Sequence, residues 1–325
     1  MTAREVHAAS IIGLDIGGTK TAVVAGDRLG GVHAREQFAT LPERGFRPVF
    51  EELTACARRI LDRCAGTASA ISVSIGGPLD VEKGIVKSPP NLPGWTDIPL
   101  KQLLKDEFRL PVFVEHDGNA GALAEWYFGA GKGFNNIVFM TMGTGLGAGL
   151  ILGGKLYRGT SDVAGEMGHI RIAEHGPLAY GKMGSLEGFG SGAGIARLAA
   201  MMYPALWGPA ATVIDVYDAY RAGSVEAMAV FDRAALHLGR GLAMLVDLLN
   251  PERIILGGIG MRMTDALVEP ARRVLAAEAL PEALRVCEVV PALLGESIGD
   301  HAALCAAYDQ GGMLLRTEQH EGAGA

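Results

Sequence analysis

The chain has 325 residues, of which 49% are hydrophobic and 20% charged, and it carries a net charge of −7. This length suits two domains of about 100–200 residues each, with enough apolar residues to give both a buried core. The acidic balance and the lack of a Lys/Arg-rich run argue against nucleic acid as the main partner. The first ten residues lack the apolar region of a signal peptide, so we expect a cytoplasmic protein. Prolines and a glycine interrupt the most apolar stretch, 198–214, which argues against a membrane span.

Two glycine-rich turns, each between two apolar runs that read as strands, stand out along the chain. The first, Asp15–Lys20, lies between the runs 11–16 and 21–24, and the second, Gly143–Gly147, lies between 137–140 and 148–152. Glycine lets backbone N–H groups approach an anion, because no Cβ atom stands in the way. A plain hairpin explains either turn alone equally well, but together they indicate a phosphate held between two lobes.

Neither turn fits two other phosphate-binding motifs. Gly143, Gly145 and Ala148 match G-x-G-x-x-A, but residues 149–153 read as a strand where that motif requires a helix. Thr19 precedes the Lys-Thr pair at a position where a P-loop requires glycine. We therefore reject a dinucleotide-binding fold and a P-loop.

The elements that follow the first turn begin as a β-α-β arrangement. They are a helix over 49–64, a strand over 70–75, a helix over 100–108, a strand over 112–115 and a helix over 119–128. The proline-rich segment 89–95 is predicted to be a loop that holds Asn91 and Trp95 in place.

The elements that follow the second turn echo this order. They are a helix over 224–249, a strand over 253–256, a glycine turn over 257–260, a strand over 286–290 and a helix over 297–308. We place a small N-terminal lobe at 1–118 plus 298–325, on which the last helix packs, and a large lobe at 119–297. The tail from Glu318 is predicted to be disordered.

The segment 115–119 lies at the carboxyl end of a predicted strand and the start of a helix, where open α/β sheets usually bind their ligands. Asp117 is the candidate general base, because a carboxylate there can accept the proton of an attacking hydroxyl, which is worth about 10²–10⁴ in rate. Taken alone, the position favours a helix N-cap instead.

A second polar cluster combines Glu166, His169 and Glu187 in a glycine-rich, irregular stretch. Carboxylates accept hydrogen bonds from hydroxyls and imidazole can accept or donate, so the three side chains suit the recognition of a sugar. A metal site built from glutamate and histidine is the rival interpretation, and a solvated loop is the third.

These motifs, in this order, resemble the ROK family of sugar kinases and repressors over nearly the whole chain. The segments that carry the resemblance are Asp15–Lys20, Gly76–Pro78, Asn91–Trp95, the Asp117 segment, Gly143–Gly147, Gly165–His169 and Glu187.

The resemblance implies an α/β protein with an actin-like ATPase fold, in which two ribonuclease-H-like lobes flank a cleft. It implies ATP with Mg²⁺, transfer of the γ-phosphoryl group to a hexose hydroxyl, usually on the sixth carbon, and a homodimer. Glucose is the first substrate to expect, with N-acetylmannosamine, N-acetylglucosamine, mannose and fructose behind it, and polyphosphate is the alternative donor. A non-catalytic sugar sensor is the rival from another class. Repressors of the family carry a helix-turn-helix before the first phosphate loop, which ten residues cannot encode.

The resemblance also assigns roles to residues. Asp117 falls on the catalytic base, and Asp15 falls on an aspartate that is associated with Mg²⁺ through water. The implied sugar-binding positions are Gly77, Asn91, His116, Asp117, Glu166, His169 and Glu187. The implied nucleotide-binding positions are Asp15, Gly17, Gly18, Thr19, Lys20, Gly143, Thr144, Gly145, Gly257 and Gly258.

The chain departs from the family in two places. The family commonly has a zinc-binding C-x-C-G-x-x-G-C-x-E segment, and here Leu178, Tyr180 and Ser185 stand in the three cysteine places. We therefore expect no zinc and predict that packing of Leu178 and Tyr180 orders this loop. His116 stands where the family usually has a sugar-binding asparagine; its imidazole could select a different epimer, introduce pH dependence or point away into the lobe.

Overall fold

The computed structural model describes residues 10–64, 68–179 and 181–315. Its contacts divide the chain into two compact units, unit 1 (Met1–Phe128 and Glu296–Ala325) and unit 2 (Gly129–Gly295). The helix that begins at Asp117 therefore lies wholly within unit 1, whereas the boundary expected from the sequence fell after residue 118. The tail from Glu318 lies outside the described residues.

The elements predicted from the sequence occur in the predicted order, among further strands and helices that were not predicted. The strands are β1 (Ser10–Ile16), β2 (Lys20–Gly26), β3 (Val32–Ala39), β4 (Ala68–Ile75), β5 (Leu79–Asp80), β6 (Ile85–Val86), β7 (Val112–His116), β8 (Ile137–Met142), β9 (Leu146–Leu152), β10 (Lys155–Leu156), β11 (Leu178–Ala179), β12 (Lys182–Met183), β13 (Arg253–Leu256) and β14 (Glu288–Pro291). The α-helices are α1 (Phe46–Arg63), α2 (Leu100–Phe108), α3 (Asp117–Phe128), α4 (Leu186–Gly190), α5 (Gly192–Met202), α6 (Val213–Arg221), α7 (Val225–Leu249), α8 (Ile259–Arg262), α9 (Glu269–Glu278), α10 (Pro281–Leu284) and α11 (Ile298–Asp309). Short 3₁₀ turns occur at Pro42–Arg44, Met167–His169 and Gly295–Ser297, and a π-turn at Thr264–Val268.

The main sheet of unit 1 has the strand order β3-β2-β1-β4-β7. Its hairpin strands β1, β2 and β3 are antiparallel, whereas β1, β4 and β7 are parallel. Since the carboxyl ends of parallel strands meet at one edge of a sheet, residues 16, 75 and 116 end their strands side by side.

Helices α1 and α11 pack against this sheet. The apolar side chains of α1 recur at helical spacing, at Val49, Leu53, Ala57 and Ile60, and are fully buried among those of the strands. On α11, the backbone N–H of Ala307 donates to Ser72 Oγ at 3.2 Å and the Tyr308 hydroxyl donates to the Asp27 carbonyl at 2.7 Å. The last helix of the chain is thus tied to the sheet of unit 1.

The main sheet of unit 2 has the order β10-β9-β8-β13-β14, in which the same strand directions recur: an antiparallel hairpin beside two parallel strands. The predicted echo between the two halves is therefore present in their sheets. The long helix α7 supplies much of the core of this unit. Its first turn is capped by Ser224, whose Oγ accepts from the Ala227 N–H at 3.2 Å, and it ends at Asn250, which has a left-handed φ of 42°.

The apolar stretch 198–214 is divided between the end of α5, an irregular segment and the start of α6. Within residues 10–64, 68–179 and 181–315, none of the helices is both long enough and apolar enough to cross a membrane.

Candidate active site

Two carboxylates lie near each other at the carboxyl edge of the sheet of unit 1. Asp15 lies near the end of β1, opposite Ser74 of β4, and Asp117 directly follows β7. The pKa of Asp15 is raised to about 7, first because its carboxyl is buried and second because Asp117 carries a like charge. Lys20 and a hydrogen bond with Ser74 act in the opposite direction. The structure thus brings Asp15 and Asp117 into electrostatic contact across three neighbouring strands.

The start of α11 completes the surroundings of Asp15. A Cβ atom built on Gly299, the second residue of that helix, would lie 2.7 Å from Asp15 Oδ2. Only glycine therefore lets the backbone of α11 approach this carboxylate so closely. The partial positive charge of the helix N-terminus acts on the same oxygen.

The first glycine turn is anchored by a buried threonine. The Thr40 hydroxyl donates to the Gly17 carbonyl at 2.6 Å, and the Thr40 N–H donates to the Thr19 carbonyl at 3.0 Å. A Cβ atom on Gly18 would lie 2.7 Å from the carbonyl oxygen of Asn91, so the turn also packs against the proline-rich loop. The side chains of Thr19 and Lys20 stay exposed and are available to a ligand.

Asp117 is the first residue of α3, yet its side chain remains 52% exposed. Its Oδ1 accepts a hydrogen bond from the Gly118 N–H at 2.7 Å and lies 3.2 Å from Nδ1 of His116. The His116 ring packs against Gly77, where a Cβ atom would lie 2.7 Å from both Cδ2 and Nε2. The carboxylate therefore has a structural contact through one oxygen and is still accessible for chemistry.

The second glycine turn, in unit 2, is held by the start of α5. The Gly192 N–H donates to the Gly143 carbonyl at 2.8 Å, and the Ala193 N–H donates to the Thr144 carbonyl at 3.3 Å. Gly143 and Thr144 are themselves exposed. The residues that follow the turn form β9, which agrees with our rejection of a dinucleotide-binding motif.

The third glycine segment, Gly257–Gly258, lies beside the second turn because β13 pairs in parallel with β8. The Gly257 N–H donates to the Met140 carbonyl at 2.9 Å. Gly258 has a φ of 59°, and a Cβ atom there would lie 2.1 Å from the Met142 carbonyl oxygen. The sheet of unit 2 thus gathers both predicted nucleotide-binding segments at one edge.

Glu187 connects the polar cluster of unit 2 to the second glycine turn. Its Oε2 accepts a hydrogen bond from the Leu146 N–H at 3.0 Å. A Cβ atom on Gly168 would lie 3.4 Å from Glu187 Cβ, so the 3₁₀ turn that carries Glu166 and His169 packs against this residue. Glu166 and His169 are exposed.

Among the residues that the structure describes, no group of three or more His, Cys, Asp or Glu side chains could hold a metal ion, so the metal interpretation of this cluster gains no support.

The loop that lacks the three cysteines is not ordered by apolar packing of Leu178, whose side chain is 59% exposed; that prediction was wrong. Backbone pairing orders it instead: β11 pairs with β12, and the Ile172 N–H donates to the Gly184 carbonyl at 2.8 Å. Ser185 is buried and caps α4, accepting from the Gly188 N–H at 3.4 Å. Tyr180 lies outside the described residues.

Several groups of the site were not predicted from the sequence. Ser74, Gly299 and Thr40 touch Asp15 or the first glycine turn, and Glu115, which is fully buried, accepts from the His116 N–H at 3.0 Å and from Asn119 Nδ2 at 2.9 Å. For Ser74 a signal existed, because Ser72 and Ser74 alternate with apolar residues over 71–75. Gly299 gave none, since its partner is 284 positions away in the chain (299 − 15).

Comparison with known proteins gives consistent matches. A model of the ROK family matches residues 11–309. A glucokinase of Halalkalibacterium halodurans is 32% identical over 305 residues, which cover 89% of this chain and 92% of that protein. A crystal structure of a ROK hexokinase from Thermus thermophilus is 31% identical, with a TM-score of 0.80, and the match covers 93% of this chain and 99% of that one. A ROK family glucokinase from Streptomyces griseus, in complex with glucose and AMPPNP, is 30% identical, with a TM-score of 0.73 and coverage of 93% and 100%.

Proposed function

Since the chain belongs to the ROK family and is a glucokinase-like sugar kinase that uses ATP, we propose that it phosphorylates the 6-hydroxyl of glucose with Asp117 as general base. The resemblance seen in the sequence and the actin-like ATPase fold that it implied are confirmed. The observation that carries the proposal is the position of Asp117: it follows β7 at the sheet edge, is half exposed and lies near the buried Asp15.

Glucose is proposed as the substrate because the Streptomyces griseus relative was crystallised with that sugar. In unit 1 the proposed sugar contacts are Gly77, Asn91, His116 and Asp117, and in unit 2 they are Glu166, His169 and Glu187. Gly77 can offer only its backbone groups, and the other residues have polar side chains with the donors and acceptors that a polyol requires. Glu166 and His169 support the proposal by their exposure, and Asn91 by its position against the first glycine turn.

Asp117 would act as the sugar hydroxyl attacks the γ-phosphorus in line with the leaving ADP oxygen. One carboxylate oxygen accepts the hydroxyl proton while the new O–P bond forms and the bond to ADP breaks. Most of the catalysis would come from positioning and from stabilisation of charge on the transferred group.

The phosphates of ATP would be bound by the glycine segments. The proposed contacts are Gly17, Gly18, Thr19 and Lys20 in unit 1 and Gly143, Thr144, Gly145, Gly257 and Gly258 in unit 2. The exposure of Thr19, Lys20, Gly143 and Thr144 supports this assignment, since a phosphate needs unobstructed backbone N–H groups.

The surroundings of Asp15 fit a magnesium ion. A carboxylate with a neighbouring serine hydroxyl offers the oxygen ligands that Mg²⁺ prefers, and this ion commonly keeps several waters and binds only one or two carboxylates beside substrate phosphates. Burial and the like charge of Asp117 disfavour the ionised form of Asp15, and a cation beside the carboxylate would stabilise that form. We propose that Asp15 holds Mg²⁺ through a water. When bound, the ion would neutralise charge on the phosphates of ATP.

The resemblance to the family also leads us to propose a cytoplasmic homodimer. Size-exclusion chromatography with light scattering tests the oligomeric state, and a monomer at micromolar concentration would contradict it.

A coupled assay for ADP release, with Mg²⁺ and ATP, tests the proposed reaction on glucose, mannose, fructose, N-acetylmannosamine and N-acetylglucosamine. We expect the highest kcat/KM with glucose and the product glucose 6-phosphate. Asp117→Asn should lower kcat at least about 10²-fold while calorimetric glucose binding persists. Asp62→Asn, at an exposed position of α1, is the matched control. Full turnover of Asp117→Asn would exclude it as the base, and preference for another hexose, or for polyphosphate as donor, would replace only that part of the proposal.

A further inference from the structure

We propose that Thr40 is a positioning residue for the first glycine turn: its hydroxyl holds the Gly17 carbonyl and thereby directs the Gly18 N–H at a phosphate of the donor. The proposal rests on the proposed role of this turn in binding ATP, and it adds a residue from outside the turn. Thr40 directly follows β3 and is fully buried, so it acts through the backbone of the turn and does not touch the ligand itself.

A pair of hydroxyl groups fixes the direction of the hydrogen bond to the turn. Thr40 Oγ1 lies 2.6 Å from the Gly17 carbonyl oxygen and 2.9 Å from Thr21 Oγ1. A carbonyl oxygen only accepts and a hydroxyl has a single proton, so Thr40 donates to Gly17 and Thr21 donates to Thr40. Both threonines are fully buried, and their hydroxyl groups therefore depend on these protein partners.

The hydrogen bond from Thr40 changes the end of the hairpin between β1 and β2. The residues that flank a two-residue hairpin loop, here Gly17 and Lys20, ordinarily exchange two backbone hydrogen bonds. The Gly17 N–H does donate to the Lys20 carbonyl, at 3.1 Å. The Gly17 carbonyl instead accepts from Thr40, and among the described residues no hydrogen bond returns to it from the Lys20 N–H. The threonine side chain thus takes the place of the second hairpin bond.

Two peptide units of the turn are oriented as a result. The Gly17 carbonyl points at the Thr40 hydroxyl, and the Thr19 carbonyl points at the Thr40 N–H, 3.0 Å away. The C=O and N–H of a trans peptide unit point in opposite directions, so the N–H groups of Gly18 and Lys20 both point away from Thr40. None of the hydrogen bonds found among the described residues uses these two groups. N–H groups arranged in this way suit the binding of an anion.

Thr40 is itself held in place by Arg44. The Thr40 carbonyl accepts from Arg44 Nη2 at 2.9 Å, and Arg44 Nη1 forms an ion pair with Glu52 of α1 at 2.8 Å. One guanidinium group therefore ties the end of β3 to α1. Because a residue can orient a functional group only when its own position is fixed, these contacts give Thr40 the support that its role requires.

The alternative is that Thr40 only stabilises the fold, and valine substitutions at the two threonines separate these roles. The bond from the Thr40 N–H to Thr19 belongs to the pairing of β2 with β3 and persists in each variant, so only the bond to Gly17 depends on the hydroxyl. Thr40→Val removes that bond, whereas Thr40→Ser keeps it. Thr21→Val is the matched control, because it removes the other hydroxyl of the same buried pair and leaves the bond to Gly17 in place.

Isothermal titration calorimetry with Mg²⁺ and AMPPNP, without sugar, measures the affinity for the nucleotide. For Thr40→Val we expect the Kd to rise about 10-fold, because a misdirected N–H loses a charge-assisted hydrogen bond to phosphate. Thr40→Ser and Thr21→Val should stay within about 3-fold of the unaltered protein.

Thermal unfolding and steady-state kinetics complete the comparison. Thr40→Val and Thr21→Val should both lower the Tm by about 2–4 °C, since each loses one buried hydrogen bond. With glucose as substrate, Thr40→Val should raise the KM for ATP about 10-fold and change the KM for glucose less than about 3-fold.

Equal weakening of AMPPNP binding in Thr40→Val and Thr21→Val would overturn the proposal, because a shared loss of stability would then explain it. Unchanged AMPPNP binding in Thr40→Val would overturn it as well, and so would an unaltered protein that binds neither AMPPNP nor polyphosphate. Failure of the proposed function looks different: the unaltered protein would phosphorylate none of the hexoses, while Thr40→Val alone still weakened the binding of AMPPNP.

Discussion

Glu187 and Gly145 lie in direct contact: a Cβ atom on Gly145 would stand 2.8 Å from Oε2 of the glutamate, the same oxygen that accepts from the Leu146 N–H at 3.0 Å. One carboxylate thus connects α4 to the turn between β8 and β9. In the proposed function, Glu187 binds the sugar and Gly145 binds phosphate. The contact couples the proposed sugar-binding and phosphate-binding residues within unit 2.

Replacement of Gly145 by alanine should therefore disturb the sugar. The new methyl group must displace the Glu187 carboxylate, and we expect the KM for glucose to rise about 10-fold, with a change in the free energy of unfolding of less than about 1 kcal/mol. Kinetics and chemical denaturation measure the two quantities.

Gly208→Ala is the matched control, because none of the described atoms lies within 4 Å of the Cβ position at this glycine. It should leave both quantities unchanged. An unaltered KM in Gly145→Ala would mean that the position of Glu187 does not matter for the sugar.

The sequence predicted most of the elements because their patterns are local. Apolar runs marked most strands of the two sheets, but β3 and β10 were not predicted. The strand after Gly147 decided against a dinucleotide-binding fold. The predicted boundaries differ from the observed ones where the first residues of an apolar run belong to a turn. The predicted strand over 286–290 begins only at Glu288, since the N–H groups of Val286 and Cys287 close the turn after α10.

The candidate site was predictable only in its glycine turns and in the residues that the family resemblance marked. The contacts of Asp15 with Ser74 and Gly299 depend on strand register and on the packing of α11, which no local pattern encodes. The same limit explains the error at Leu178. Its apolar side chain predicts packing against a core, but the short hairpin of β11 and β12 leaves it exposed. The roles of the individual site residues stay predictions.

Two of the three serines of β4, Ser72 and Ser74, can separate a structural role from a functional one. Both are buried, but Ser72 accepts from the Ala307 N–H at 3.2 Å, whereas Ser74 makes a hydrogen bond with Asp15. Ser72→Ala should cost about 1 kcal/mol of unfolding free energy, because a buried hydrogen bond between β4 and α11 is lost, and should leave kcat unchanged. Ser74→Ala should instead raise the Mg²⁺ concentration needed for half-maximal rate. Equal effects of the two substitutions on the magnesium dependence would contradict this division.

Asp15 should make the ligand-free protein less stable as pH rises. Its pKa is raised from 3.8 to about 7, so below pH 3.8 the carboxyl is neutral in both states, and as pH rises the ionised form increasingly favours the unfolded chain. With 1.36 kcal/mol for each pH unit, the penalty at pH 8 exceeds that at pH 5 by about 3 kcal/mol. Asp15→Asn should therefore stabilise the protein by about 3 kcal/mol more at pH 8 than at pH 5, while activity is lost.

Urea denaturation at the two pH values, without magnesium or ATP, measures the difference. Asp62→Asn at an exposed position serves as the control and should show no pH-dependent gain. A gain in Asp15→Asn that is equal at both pH values would show that Asp15 is already ionised at pH 5 in the folded protein, and hence that its pKa is not raised.

His237 should make the protein sensitive to acid. Its ring is buried on α7 with a centroid 3.8 Å from that of Phe189 in α4, and burial together with Arg240 and Arg233 lowers its pKa from 6.5 to about 4. The folded state favours the neutral ring. The contribution of His237 to the free energy of unfolding is therefore present above pH 6.5 and is lost as pH falls toward 4.

His237→Phe keeps a ring against Phe189 without a titrating group. Between pH 7 and pH 4.5 its free energy of unfolding should fall by about 2–3 kcal/mol less than that of the unaltered protein. Denaturation curves at both pH values measure this, with the exposed His175→Gln as control, and equal falls in all three proteins would exclude His237 as the acid-sensitive group.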